Sequence, residues 1–275
     1  MRIWSTPQLL GQDLLSHDLT PKHHSKASSL PSLAEISLIC LIIYVGATVR
    51  WAIGFGEALI AMPLLGLIIP LSYAAPLVAM ISFLNGIGIL IHEWRHIQFH
   101  TALGLILPAL LTVPLGVWLL HNSDDGLIKG LLAILILLYG VFSLRHPERL
   151  HLKSDRWAPV AGLIAGFLAG AYNTSGPPIV MYGTLRHWPP ERFRAMLQSF
   201  FSFSSIWVLA MHFAERQLTI DVAQTFVFCL PSIALARWTG LTISKKIPAQ
   251  RFRTVVHCAL LVLGTALLAH ACWPQ

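Results

Sequence analysis

The sequence predicts an all-α polytopic membrane protein with two inverted repeats of about five segments each and discontinuous helices that meet near the midplane. Of its 275 residues, 55% are hydrophobic and 11% are charged, whereas soluble domains carry about 25% charged residues. Uncharged runs at 58–91, 101–120 and 157–185 match the roughly 20 apolar residues that a spanning helix needs. Each half of the chain also contains a glycine-bearing break within apolar sequence.

Hydropathy predicts five segments in each half of the chain. They are 33–50, 57–70, 73–92, 101–120 and 126–144 in the first half, and 157–173, 177–187, 195–213, 219–237 and 254–271 in the second. The segments 57–70 and 177–187 are shorter than the roughly 20 residues of an ordinary crossing. Because each follows a break, we predict that each is the second half of a discontinuous span.

These segments divide the chain into a polar tail at 1–32, a first membrane repeat at 33–144, a cytoplasmic linker at 145–156 and a second membrane repeat at 157–275. The tail carries no apolar stretch followed by a small-residue cleavage site, so a cleaved signal peptide is not expected. The net charge of +7 reflects Lys and Arg in short loops, as orientation in a membrane requires. No nucleic-acid partner is therefore expected.

Loop charge predicts that the second repeat is inverted relative to the first. The loops 145–156 and 237–253 carry four and five Lys or Arg residues, which is typical of cytoplasmic loops. The loop 121–126 carries two Asp and no Lys or Arg, which indicates an external position. Gly116 and Gly240 match at a shift of 124, which makes 121–126 equivalent to part of 237–253. Equivalent loops on opposite sides indicate an inverted repeat, and five crossings in each half place both termini outside.

The break in the second half is the strongest candidate for a binding site. It reads Asn173-Thr174-Ser175-Gly176-Pro177-Pro178. Hydrocarbon cannot satisfy loose backbone groups, so a broken helix at membrane depth is typical of a ligand cavity. A helix start at Pro177 would point unpaired N–H groups and a positive dipole end at an anion. The side chains of Asn173, Thr174 and Ser175 would add donors.

The break in the first half, Gly54-Phe55-Gly56, lies 120 residues earlier, as the spacing of Gly56 and Gly176 shows. Its glycines allow close backbone approach to a ligand. A helix start at Glu57 would bring a second positive end towards the midplane from the opposite side. The alternative is that the glycines only let helices pack closely.

Further polar residues at membrane depth are candidates for the same site. Arg50 and Glu57 flank the first break, and an ionisable residue inside a membrane is a functional candidate by default. Arg50 could instead extend its guanidinium to the surface, and Glu57 could simply cap a helix. Asn85, Gln198 and Ser202 are predicted to line the cavity, with interhelical hydrogen bonding as the alternative.

One motif suggests a different class of protein. His92-Glu93-Trp94-Arg95-His96 matches the zinc motif H-E-x-x-H, in which two imidazoles one helical turn apart bind the metal and the Glu acts as general base. An intramembrane zinc metalloprotease using His92, Glu93 and His96 is therefore the alternative function. The motif lies at the end of a span and lacks a convincing third ligand, so we predict neither a metal nor another cofactor.

The four cysteines have no CxxC spacing and are predicted to be buried free thiols.

The two breaks resemble the signature elements of the TauE/SafE sulfite-exporter family. The resemblance rests on Gly54-Phe55-Gly56 followed by Pro63, and on the run from Asn173 through Pro178 to Ile179-Val180-Met181-Tyr182. It covers about residues 33–268, and its second element is the more specific.

The resemblance implies a secondary transporter of the bacterial inner membrane and not an enzyme, and the loop charges then place both termini in the periplasm. Its substrate would be a small anion such as a sulfur oxyanion, a sulfonate or a carboxylate, moved by alternating access. The first element of the family commonly continues with more glycine, whereas this chain has Glu57. An acid beside an anion site must be protonated or paired, for example with Arg50, so protons are a candidate coupling ion. Oligomeric state is left open.

Overall fold

The computed structural model describes residues 32–93, 99–144, 152, 154–246 and 249–272. These residues form ten α-helices, one 3-10 turn at Asp155–Trp157 and no strand. The helices are α1 (Leu33–Ile53), α2 (Glu57–Gly66), α3 (Leu71–Glu93), α4 (Phe99–Asn122), α5 (Asp125–Leu144), α6 (Ala158–Tyr172), α7 (Gly176–Leu185), α8 (Pro190–Ala214), α9 (Ile220–Lys246) and α10 (Ala249–Cys272). Among the described residues, five helices are long and apolar enough to cross a bilayer. The chain is a multi-pass α-helical membrane protein, as its composition predicts.

The outer faces of the helices are apolar. On α4 the exposed large apolar residues are Leu103, Leu107, Leu111, Leu115 and Trp118, which recur every three or four positions and so form one stripe along the helix. An apolar stripe of this kind is unfavourable in water but favourable against the acyl chains of a bilayer.

At the start of α1, the Ser32 hydroxyl accepts from the N–H of Glu35, and the Glu35 carboxylate accepts from the N–H of Ser32. This arrangement is a capping box.

The helix α2 folds back along α1 and does not continue its direction. A Cβ built on Gly46 of α1 would lie 2.9 Å from the carbonyl oxygen of Glu57 and 3.4 Å from Ala61. A Cβ on Gly56 would lie 3.3 Å from Val49. The two helices therefore run antiparallel and form a hairpin, which we call the first hairpin. The prediction that 57–70 is the second half of a discontinuous span is wrong in this respect, because the glycines of α1 let the two backbones come close.

The helices α6 and α7 form a second hairpin of the same kind. The N–H of Leu152, before α6, donates to the carbonyl of Leu185 at the end of α7 at 2.8 Å. The Tyr182 hydroxyl donates to Asp155 Oδ1 at 3.0 Å. The end of α7 thus returns to the level at which α6 begins, so 177–187 likewise turns back and does not continue a span.

The contacts between helices also fix their relative directions. Cys40 of α1 lies 3.7 Å from Cys229 of α9, and Thr48 lies 3.3 Å from Thr239, so α1 and α9 run parallel. On α4 and α6, Leu105 faces Gly162 and Val113 faces Gly170, so these helices are parallel too.

The helices α5 and α10 run antiparallel. A Cβ built on Gly140 would lie 2.7 Å from Leu261, and one on Gly264 would lie 3.0 Å from Leu137. Cys40, Cys229 and Cys258 are free thiols, but of these only Cys229 is buried as predicted, since Cys40 is half-buried and Cys258 is exposed.

The bundle has two ends. The N–H of Leu71 donates to Asp125 at 2.9 Å and the Tyr73 hydroxyl donates to the carbonyl of Asp221 at 3.1 Å, so α3, α5 and α9 begin at the end where α1 begins. We call this the N-terminal end. The opposite end, where α5 ends and α6 begins, is the linker end. The first hairpin starts from the N-terminal end and the second from the linker end.

One predicted boundary is wrong by more than two turns. The helix α9 runs to Lys246, so most of the predicted loop 237–253 is helical. Arg237 lies on α9 with its guanidinium carbon 5.0 Å from the centre of the Trp51 ring. The Thr242 and Ser244 hydroxyls donate to carbonyls of the preceding turn, which lets a polar sequence continue as helix.

Candidate functional site

The tips of the two hairpins meet inside the bundle around a cavity of about 30 Å³. Both breaks and one face of α3 and α8 line it. The lining residues are Arg50, Phe55, Gly56, Glu57, Ala58, Leu59, Ser82, Asn173, Thr174, Gly176 and Phe201. The structure therefore brings together residues of two breaks that lie far apart in sequence.

The first tip is formed by two glycines in the left-handed region, Gly54 at φ +91° and Gly56 at φ +97°. The N–H of Gly54 donates to the carbonyl of Arg50 at 2.7 Å and ends α1. The helix α2 then begins at Glu57, as predicted, so the N–H groups of its first turn have no acceptor within the helix. Because Gly56 through Leu59 line the cavity, this helix start faces the cavity.

The second tip uses a different residue for the same backbone turn. Asn173 ends α6 in the left-handed region at φ +54°, and its side-chain Nδ2 donates to the carbonyl of Ala75 at 3.2 Å. The Thr174 hydroxyl donates to the carbonyl of Tyr172 at 2.8 Å. The helix α7 begins at Gly176, and its next two residues are Pro177 and Pro178, which have no N–H. The first turn of α7 thus has two fewer backbone donors than the first turn of α2.

A buried ion pair lies at the first tip. Arg50 Nη1 donates to Glu57 Oε2 at 3.1 Å, with side-chain exposures of 7% and 1%. Asn85 Nδ2 of α3 donates to the other carboxylate oxygen at 2.9 Å. Within the described part of the chain, Arg50 Nε and Nη2 are buried and have no hydrogen-bond partner. The Arg50 guanidinium carbon also lies 5.8 Å from the centre of the Phe201 ring, which is within the range of a cation–π contact.

The remaining predicted site residues lie near the cavity but do not line its wall. Gln198 Nε2 donates to the carbonyl of Gly54 at 3.2 Å, so its amide supports the first tip. Ser202 packs against Gly86 of α3. Ser175 and Pro177 are buried but are not part of the cavity wall.

Four wall residues were missed from the sequence: Ala58 and Leu59, which directly follow Glu57, and Ser82 and Phe201. Ser82 lies one turn before Asn85 on α3, and Phe201 lies next to Ser202 on α8. For Ser82 the helical spacing to Asn85 was a usable signal. Phe201 gave none, because an aromatic residue in an apolar segment is as common on a core or lipid-facing surface.

The zinc motif finds no support in the structure. The side chains of His92 and Glu93, and the whole of His96, lie outside the described residues. Among the side chains that the structure does describe, no group of three or more His, Cys, Asp or Glu could hold a metal ion.

Comparison with known proteins agrees with the resemblance of the two breaks. The family model "Sulfite exporter TauE/SafE" matches residues 38–267, which include both hairpins. A curated relative, the probable sulfite/organosulfonate exporter TauE of Cupriavidus necator, is 25% identical over 225 residues, covering 79% of this chain and 88% of the relative. No solved structure matches the chain. The matched family consists of exporters and not of enzymes, and the match spans most of the chain, so this protein belongs to the TauE/SafE sulfite exporter family.

Proposed function

We propose that the protein is a secondary transporter that moves a small anion, a sulfur oxyanion, a sulfonate or a carboxylate, across the bacterial inner membrane. The observation that carries this proposal is the cavity at which both hairpin tips meet beside the buried Arg50. At about 30 Å³ the cavity has room for about two water molecules. The hairpin tips must therefore move apart before an oxyanion is admitted, and such movement is what alternating access requires.

Arg50 and the start of α2 are the proposed anion ligands. A guanidinium has five N–H donors, and Arg50 directs the donor of Nη1 to Glu57. Its Nε and Nη2 are the buried donors without a partner among the described residues, and a planar pair of donors matches two oxygens of an oxyanion. The N–H groups at the start of α2 add the positive end of a helix dipole on the same cavity. Asn173, Thr174 and Ser175 remain proposed ligands. To bind the anion, their side chains would have to replace their present contacts or form additional hydrogen bonds.

Glu57 is the proposed proton-coupling group. Its carboxylate binds Arg50 and would repel an incoming anion at this short distance. If Glu57 takes up a proton, the positive charge of Arg50 becomes available to the substrate and the site remains neutral overall. Binding of the anion and of the proton would then favour each other, which is the requirement for coupled transport.

The helix contacts support an inverted repeat. Leu137 and Leu261 are separated by 124 positions, as are Gly140 and Gly264, and each glycine packs on the leucine of the other helix. The helices α5 and α10 therefore contact each other through equivalent residues of the two halves. Because these two helices run antiparallel, one half has the opposite chain direction to the other, as in transporters built from inverted repeats.

The proposed orientation places the linker end in the cytoplasm and both termini in the periplasm. The linker 145–156 and the end of α9 carry clustered Lys and Arg, and such clusters stay inside. A reporter that fluoresces only in the cytoplasm should be dark when fused after Gln275 and bright when fused to a chain truncated after residue 150. A bright fusion at Gln275 would refute this orientation.

The transport proposal is tested by anion flux into liposomes with and without a pH gradient. For one coupled proton, a gradient of about one pH unit supports about tenfold accumulation of the anion. The Glu57→Gln variant should transport without responding to the gradient, because Gln cannot exchange a proton. Glu215→Gln, which changes an exposed acid after α8, is the matched control and should behave as wild type. Wild-type protein that moves none of sulfite, thiosulfate, short sulfonates or short carboxylates would overturn the proposal, and gradient-driven flux in Glu57→Gln would remove Glu57 from the coupling.

A further inference from the structure

A second and larger cavity lies at the linker end of the bundle. Its volume is about 400 Å³, which falls in the range of small-molecule pockets. The apolar part of its wall comes from Leu105 of α4 and from Ala158 and Pro159 of α6. Its polar part includes Trp188, in the connection between α7 and α8, and Arg192, in the first turn of α8.

Two donors of residues on this wall have no acceptor among the residues that the structure describes. Trp188 is 9% exposed, and its Nε1 is buried without a hydrogen-bond partner among the residues that the structure describes. The same holds for Arg192 Nε. Buried N–H groups are almost always paired in folded proteins, because an unpaired one loses its hydration without compensation. Two such groups beside one cavity are donors that a ligand with acceptor oxygens can pair.

The charge of this cavity favours an anion. Asp155 also lies on the wall, but Arg186 Nη2 pairs with it at 2.9 Å and the Tyr182 hydroxyl donates to it. Arg186 thus offsets the charge of Asp155, and Arg192 contributes the remaining positive charge.

Trp188 is held in place before any ligand binds. The backbone N–H of Trp188 donates to the carbonyl of Gly183 at 3.1 Å. A Cβ on Gly183 would lie 2.8 Å from the indole, so the ring packs directly on the backbone of α7. The ring meets Tyr182 edge to face at 5.4 Å, and the Arg192 guanidinium carbon lies 5.4 Å from its centre. A fixed donor of this kind loses little entropy on binding.

We propose that this cavity binds a small organic anion, with a sulfonate or carboxylate head accepting from Trp188 Nε1 and Arg192 and a short carbon chain against Leu105, Ala158 and Pro159. The helix α7 connects it to the central cavity: Tyr182 lies six residues from Gly176, about 9 Å along the helix. We call this cavity a waiting site, because the transported anion, the cargo, would bind there at the linker end before it enters the central cavity. Its role as a waiting site rests on the proposed transport function, whereas the binding itself does not.

The experiment is calorimetric titration of the purified full-length protein with ethanesulfonate, read in parallel by tryptophan fluorescence. Trp188→Phe keeps an aromatic ring but loses the Nε1 donor, so binding should weaken by about tenfold or more, as expected for a hydrogen bond to a charged group. Arg192→Gln should weaken it further, and Arg192→Lys should recover part of the loss. Arg156→Gln removes an exposed charge at the same end and should bind as wild type. Equal binding in the wild type, Trp188→Phe and Arg192→Gln would overturn the proposal.

Two further ligands identify the chemistry that is recognised. Sulfate carries a head without a carbon chain and should bind more weakly than ethanesulfonate. Short-chain phosphatidylglycerol carries a phosphate head on a lipid, and a protein that binds it but not ethanesulfonate would overturn the assignment to cargo. Asn173→Gly alters the second tip and should leave titration at the linker end unchanged. Intact binding without flux would therefore count against the transport function and not against this site.

Discussion

The first and second hairpin tips reach the centre of the bundle from opposite ends and use the same backbone device, yet they present different chemistry to the cavity. Each ends its longer helix in a left-handed residue, Gly54 in one and Asn173 in the other. The first tip then offers a complete set of helix-start N–H groups together with Arg50 and Glu57. The second tip replaces two of these N–H groups by Pro177 and Pro178.

Two related halves of one protein can therefore contribute different groups to the same cavity. At the second tip, the donors of Asn173 and Thr174 bond to carbonyls of the protein itself, so they hold the tip in place. At the first tip, Arg50 keeps buried donors without a partner in the described chain. We therefore expect the first tip to select and release the anion and the second tip to close over it, which mutations at equivalent positions can separate.

The largest expected effect comes from removing the charge of the first tip. Arg50→Gln leaves Glu57 buried without its partner, and breaking such a pair destabilises a protein by about 3–5 kcal/mol. Anion flux in liposomes should be abolished, and the thermal midpoint of the purified protein should fall.

The double variant Arg50→Gln and Glu57→Gln separates folding from function. It carries no unpaired charge at the tip, so its thermal midpoint should recover towards that of the wild type. Flux should remain absent, because the anion has lost its cation. Transport by this double variant would contradict the assignment of Arg50 as an anion ligand.

A smaller effect is expected when the backbone of one tip is strained. Gly56→Ala places a Cβ at φ +97°, 3.3 Å from Val49, and a residue held in such a region costs about 1–3 kcal/mol. Flux should fall strongly with a modest loss of thermal stability. The matched change at the second tip, Asn173→Gly, relieves the backbone and removes the amide bond to Ala75, a loss of about 1 kcal/mol. Flux that falls more in Asn173→Gly than in Gly56→Ala would reverse the proposed division of roles.

The sequence predicted the positions of both breaks but not the path of the chain after them. The start of α2 at Glu57 followed from Gly56 and the dipole preference for an acid at a helix start. Whether α2 continues the direction of α1 or folds back depends on long-range packing of Gly46 against Glu57. Hydropathy reports the length of an apolar segment and not its direction, so the hairpins were not visible in it.

The candidate site was predictable to a similar degree. Ionisable residues inside apolar sequence identified Arg50 and Glu57, and their pairing was considered as one possibility. The roles of the two tips were not readable, because Asn173 and Thr174 look like ligand donors until their bonds to Ala75 and Tyr172 are known.

The smallest expected effect tests whether the second tip contributes backbone donors. Pro178→Ala adds one N–H to the first turn of α7, where a proline has none. Pro178 does not line the cavity, so an anion that lies against Arg50 and α2 should not contact this new donor, and the KM for anion flux should change by less than about twofold, or roughly 0.4 kcal/mol. The control is Pro231→Ala in α9, which adds an N–H inside a helix away from the cavity. A clear fall in KM for Pro178→Ala without one for Pro231→Ala would place the anion between the two tips and make their contributions equal.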